Sequence, residues 1–108
     1  MLESVFGTVS RERVLAYLVA REQGYGRGIA AFYDTNLRAL QVQLDKLEAG
    51  GVLVSQREGR TRLYRLNPRW PFREQLVALV ERMLEFYPEE DRELLLGGRR
   101  RPRRRGKP

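Results

Sequence analysis

No cysteine and no histidine occur in the 108 residues. Disulfides, thiolate zinc sites, thiol redox chemistry and imidazole catalysis are excluded together. Also missing is any apolar run of about 18 residues, the length a helix needs to cross a bilayer. The opening MLESVFGTVSRER lacks the basic-then-apolar order of a secretion signal, so a soluble, cytoplasmic protein is expected. Enzyme chemistry would have to use carboxylates or lysine, and Glu89-Glu90-Asp91 reads more naturally as the solvated start of a helix. Gly24, Gly26 and Gly28 spell G-Y-G-R-G, which follows no strand and has the spacing of neither a P-loop nor a dinucleotide fingerprint. No enzyme activity, cofactor or metal is expected. There is no internal repeat of solenoid length.

What is plentiful is arginine, unevenly placed. The net charge is +7, and seven of the 21 basic residues lie beyond Gly97: Arg99, Arg100, Arg101, Arg103, Arg104, Arg105 and Lys107. The first 96 residues therefore hold 14 basic groups against all 14 acids. Within them residues 36–73 are basic, with Arg38, Lys46, Arg57, Arg60, Arg62, Arg65, Arg69 and Arg73 against Asp45, Glu48 and Glu58. Residues 74–96 are acidic, with only Arg82 and Arg92 to offset seven carboxylates. Such a dipolar layout suits a protein that orients itself on a polyanion. Two segments follow: residues 1–96 as one folded domain, and 97–108 as a disordered arginine-rich tail that buries too little to fold. The tail reads as a nonspecific nucleic-acid anchor, or as a solubilising extension.

The organising stretch is residues 36–49, NLRALQVQLDKLEA. Leu37, Leu40, Leu44 and Leu47 recur every three or four positions and line one side of a helix, while Arg38, Gln41, Val42 and Asp45 fall on the other. Asn36 or Thr35 supplies the N-cap oxygen, and the Gly50-Gly51 pair the left-handed stop. Beyond it, VLVSQREGRTRLYRLN is two strand-like runs about Arg57-Glu58-Gly59-Arg60, a hairpin with glycine where positive φ is needed.

Upstream, Leu2, Val5 and Phe6 are laid against the core. Thr8 or Ser10 caps a first helix that buries Val14, Leu15, Leu18 and Val19 and runs to about Gln23. Gly24-Tyr25-Gly26 turns the chain into a short helix over residues 28–33. After the hairpin, Pro68 and Pro71 stop the strand, and a long helix spans about 72–87 with Leu76, Leu79, Val80, Met83, Leu84 and Phe86 on more than one face. A second apolar face at the edge of a small domain points to a homodimer through this helix and the first one. Past Pro88, Leu94-Leu95-Leu96 calls for cover from the same surface.

The segment Gln41-Val42-Gln43-Leu44, Leu47-Glu48, Gly51, Leu53, then Arg57-Glu58-Gly59-Arg60 and Tyr64-Arg65-Leu66-Asn67-Pro68, resembles small winged-helix transcriptional regulators of the ArsR-like type. The likeness covers roughly residues 5–87. It implies a mainly α winged helix-turn-helix with a two-stranded wing and an additional C-terminal dimerisation helix. Where similar proteins have a charged residue and a glycine, this chain has Gly28 and Asp34, which makes the second helix the least secure element. It also lacks the metal-sensing thiolates of many such repressors. The resemblance implies sequence-specific binding of double-stranded DNA, with Asn36, Arg38, Ala39, Gln41, Val42 and Gln43 in the recognition helix and Arg57, Arg60, Arg62 and Arg65 in the wing. Arg38 suits guanine, the glutamines suit adenine, and Val42 or Ala39 a thymine methyl. Arginine and glutamine are equally at home on a solvated helix, and a charged edge strand also blocks aggregation. The alternative from another class is a winged-helix adaptor that docks a separately encoded enzyme through its acidic C-terminal helix.

Overall fold

The computed structural model describes residues 1–97; the arginines at 99, 100, 101, 103, 104 and 105 lie outside them. In chain order the elements are α1 (Glu3–Phe6), α2 (Val9–Arg21), β1 (Gly24–Tyr25), α3 (Gly26–Tyr33), α4 (Leu37–Ala49), β2 (Leu53–Glu58), β3 (Thr61–Leu66), α5 (Arg73–Leu84) and α6 (Glu89–Leu96). The architecture is a mainly helical winged helix-turn-helix with an antiparallel sheet ordered β1-β3-β2.

Thr8, rather than Ser10, caps α2: its Oγ1 accepts from the Arg11 amide at 3.0 Å. The helix is enclosed by α1, α4, α5, α6 and β3, so Val14, Leu15, Ala16 and Leu18 are all buried. Its buried arc is therefore wider than the four-residue stripe in the sequence. Glu12 lies in that arc too. One carboxylate oxygen accepts from the Met1 ammonium (2.9 Å) and the Leu2 amide (2.7 Å), and the other takes the Tyr87 hydroxyl, which ties α1 and the end of α5 to α2. A buried carboxylate survives because each oxygen has a donor.

Desolvation, and then the bond to Glu12, push the Tyr87 phenol above its ordinary range; burial does the same to Tyr33. Folding holds both phenols neutral past pH 10.0, where an unshifted tyrosine ionises. Stability is thus intact below that pH and falls as pH rises above it. Urea midpoints measured from roughly pH 9 to 11 should decline, and a Tyr33→Phe/Tyr87→Phe protein should decline less. Equal declines would remove these two phenols as the cause.

Two residues expected only to turn the chain form a strand. Gly24 pairs with Tyr64 and Tyr25 with Leu63, so the wing is the outer part of a three-stranded sheet. A β-carbon on Gly24 would sit 2.6 Å from Tyr17 Cε1 and 3.3 Å from Ile29 Cγ1. Gly24→Ala is therefore expected to cost about 1–3 kcal/mol by overpacking, read from urea denaturation. A neutral substitution would mean that β1 is not packed against α2.

α3 starts at Gly26, two residues before the expected position, and ends at Asp34 in the left-handed region (φ 52°, ψ 53°). Aspartate tolerates that conformation better than most residues. The Asp34 and Thr35 amides then reach the carbonyls of Ala31 (3.2 Å) and Ala30 (3.0 Å), which closes the helix without the usual glycine. Asn36 Oδ1 accepts from the Ala39 amide (3.1 Å) and starts α4. Leu40, Leu44 and Leu47 are buried, whereas Leu37, in the first turn, is exposed. At the far end only Gly51 takes positive φ (84°), and the Val52 amide returns to Leu47 O at 2.9 Å.

The β2–β3 register runs from Leu53↔Leu66 to Glu58↔Thr61, with Gly59 (φ 64°) and Arg60 as the two-residue turn. α5 is shorter than its sequence pattern, because Glu85, Phe86 and Tyr87 close in tight turns before Pro88. In α6 the middle leucine, Leu95, is core, and only Leu94 and Leu96 are exposed. Arg21 donates to the Leu94 (2.8 Å) and Leu95 (2.9 Å) carbonyls and satisfies the end of that helix. Among the described residues, no helix is long and apolar enough to cross a membrane.

Candidate nucleic-acid interface

Directly opposed residues of two strands project from the same face of the sheet. Leu53, Ser55 and Arg57 of β2 therefore share a face with Leu66, Tyr64 and Arg62 of β3. That face is turned to α4: Leu53, Tyr64 and Leu66 are buried, Ser55 Oγ donates to Glu48 (2.6 Å), and Gln41 Nε2 donates to Tyr64 OH (3.0 Å). The strands outrun the helix, which leaves Arg57 and Arg62 exposed on the inner side of the wing, opposite one another. Arg60 lies in the turn at the tip. Arg62 makes a 3.1 Å bond to Ser55 Oγ. The one nearby acid, Glu58, is held on the other face, where Tyr25 OH donates to it at 2.8 Å. That bond raises the Tyr25 phenol above its ordinary range.

Arg65, expected alongside the other wing arginines, sits on the reverse face. It lines a recess between α2, β3 and α5 with Glu22, Arg73 and Glu81. The strand period of two separates it from Arg62: an odd offset in sequence is an opposite face in space.

The exposed side of α4 carries Arg38, Ala39, Val42, Asp45 and Lys46. Gln43 is not among them. It is 7% exposed, and its Oε1 accepts from Arg11 Nε at 2.9 Å, a bridge from α4 to α2. Positions 40, 43, 44 and 47 are the i, i+3, i+4, i+7 set of a buried stripe, so the leucine spacing already contained this placement. Gln41 is only partly withdrawn. Its Nε2 is bonded to both Tyr64 OH and Asp45 Oδ1 (each 3.0 Å), so the amide it would offer an adenine is occupied by the wing and by its own helix. The Asn36 oxygen is likewise occupied, as the N-cap.

A concave recess lies between this helix and the wing. It has a volume of about 290 Å³, with Tyr25, Gly26 and Arg27 at the start of α3, Leu37 and Gln41 of α4, and Arg60 to Arg62 and Tyr64 of the wing around it. The recess is as close as it is because a β-carbon on Gly26 would stand 2.8 Å from Gln41 Oε1 and 3.3 Å from Leu44 Cδ1. Arg27 is the basic residue that sequence reasoning passed over: it belongs to no periodic pattern, and only the pairing of β1 with β3 brings the start of α3 to the wing. Among the described residues, no group of three or more His, Cys, Asp or Glu side chains converges to hold a metal.

Solved structures of similar shape include two of ZitR from Lactococcus lactis, both of a double mutant. One, in the apo form, gives a TM-score of 0.54 at 19% identity, over 83% of this chain and 76% of that one. The other gives 0.50 at 18% identity, over 91% and 75%. At this identity the likeness shows a common fold. No protein-family model and no curated protein matches the sequence.

Proposed function

We propose that the protein is a sequence-specific transcriptional regulator that binds double-stranded DNA as a homodimer, in the manner of ArsR-like winged-helix proteins. The observation that carries this is the placement of the exposed side of α4 beside the inner wing arginines. Arg38, Val42 and Lys46 flank one edge of the recess, and Arg57, Arg60 and Arg62 the other. A helix of this size fits a major groove, and the wing then lies on the adjoining backbone. Arg38, Ala39 and Val42 are the base readers in this account; Gln41 and Asn36 hold the reading helix in place. The arginines from 99 to 105 add salt-sensitive, sequence-independent affinity. Selection from random duplexes with the full chain tests the reading. An enriched motif with two half-sites, about one helical turn or 34–36 Å apart, is expected. Retention of all sequences equally would contradict it.

The second copy is assigned to α5. Phe72, Leu79 and Phe86 are seven apart, about two helical turns, and so form one stripe. They are 61%, 42% and 64% exposed, opposite the buried Val80, Met83 and Leu84. Val5 of α1 and Leu94 of α6 are further exposed apolar residues. α2, expected to share the interface, is enclosed and offers little apolar surface beyond Val9. Light scattering at micromolar concentration should give twice the chain mass, and Leu79→Asp should give a folded monomer. The adaptor alternative would use the same stripe; a wild-type monomer without duplex affinity would favour it.

A further inference from the structure

We propose that the recess between α3 and the wing is a seat for one DNA backbone phosphate, with Arg27, Arg60 and Arg62 as the groups that hold it. This rests on the duplex-binding reading and adds to it a fixed point of attachment. Three guanidinium groups line one concavity, from two elements distant in sequence. Around it the acids are already engaged: Glu58 by Tyr25 and Asp45 by Gln41. The strands place Arg57 directly across from Arg62, a like-charged pair that disfavours the free protein and that an anion between or beside them relieves. Guanidinium forks match the oxygens of a phosphate in a way that a single ammonium does not. The uncharged wall of the recess is Tyr25, Tyr64 and Leu37, a surface on which a sugar can rest. A phosphate held there lies between the first turn of α4 and the wing, so it would set the register of the reading helix along the groove.

The source of the phosphate is tested with the full chain. Duplexes carrying one neutral methylphosphonate at each backbone position in turn are bound to the wild type and to Arg27→Ala. The wild type should lose affinity at one position in each half-site, and Arg27→Ala should be insensitive at that position alone. The slope of log affinity against log salt should fall by about 0.9 for each seat lost. Arg65→Ala, on the reverse face, should leave both readouts unchanged. If the wild type binds duplex and Arg27→Ala keeps the same methylphosphonate profile and slope, the seat is wrong while the DNA reading stands. If the wild type binds no duplex, both fail. Side-chain NMR shifts of Arg27 and Arg62 on adding inorganic pyrophosphate, with no change in the duplex profile, would assign the recess to a free anion and overturn the proposal as stated.

Discussion

Replacing Leu40 with alanine is expected to lower the free energy of unfolding by about 2–5 kcal/mol. Leu40 and Leu44 are both 0% exposed, at the point where α4 meets α2, α3 and β2. Several elements meet at this point, so the cavity left by a shortened side chain cannot collapse without moving one of them. The cost should therefore fall towards the upper part of the range. Leu37→Ala is the control. Leu37 is exposed at the edge of the recess, and its loss should cost under about 1 kcal/mol. Chemical denaturation followed by circular dichroism reads both. Equal losses would mean that α4 is not anchored through its middle turns, and the posture of the reading helix would need another cause.

The second large effect is on binding. Arg57→Ala combined with Arg60→Ala should weaken duplex binding to every sequence alike and lower the salt slope by about 1.8, two phosphates at about 0.9 each. Stability should move the other way or not at all. Removing Arg57 takes away one half of a like-charged cross-strand pair, a change of about 0.2–1 kcal/mol in favour of the fold. This opposition separates a binding role from a structural one: a variant that lost affinity because its wing had unfolded would lose both. Arg38→Ala should behave differently again, with a penalty of about 1–3 kcal/mol confined to one base position and little change in slope. Fluorescence anisotropy against matched and mismatched duplexes at several salt concentrations measures both.

Patterns that repeat within one element were legible before any coordinates. The leucine stripe of α4, its Asn36 cap, the hairpin with Gly59 at its turn and the stop at Pro88 all follow from spacing and from local backbone preference. Facts that depend on two elements at once were not. β1 is two residues long, too short to show alternation, and exists because β3 offers it an edge. Glu12 looks like a solvent-facing acid of an amphipathic helix, yet α1 and the end of α5 fold over it and supply its donors. The wing shows four arginines in sequence but distributes them over two faces, which only the strand register decides. Gln43 is the one case in which the sequence signal was present and a polar side chain hid it: its spacing is that of the core, and Arg11 supplies the partner that makes burial affordable.

The account depends on α4 and the inner side of the wing acting as a single surface. Mapping backbone amide shifts by NMR as a cognate duplex is added tests this directly. The largest changes are expected in residues 27, 36–46 and 57–62, with Arg65 and the α5 stripe little affected. Changes concentrated on α5 and α6, or restricted to residues 99–107, would contradict it.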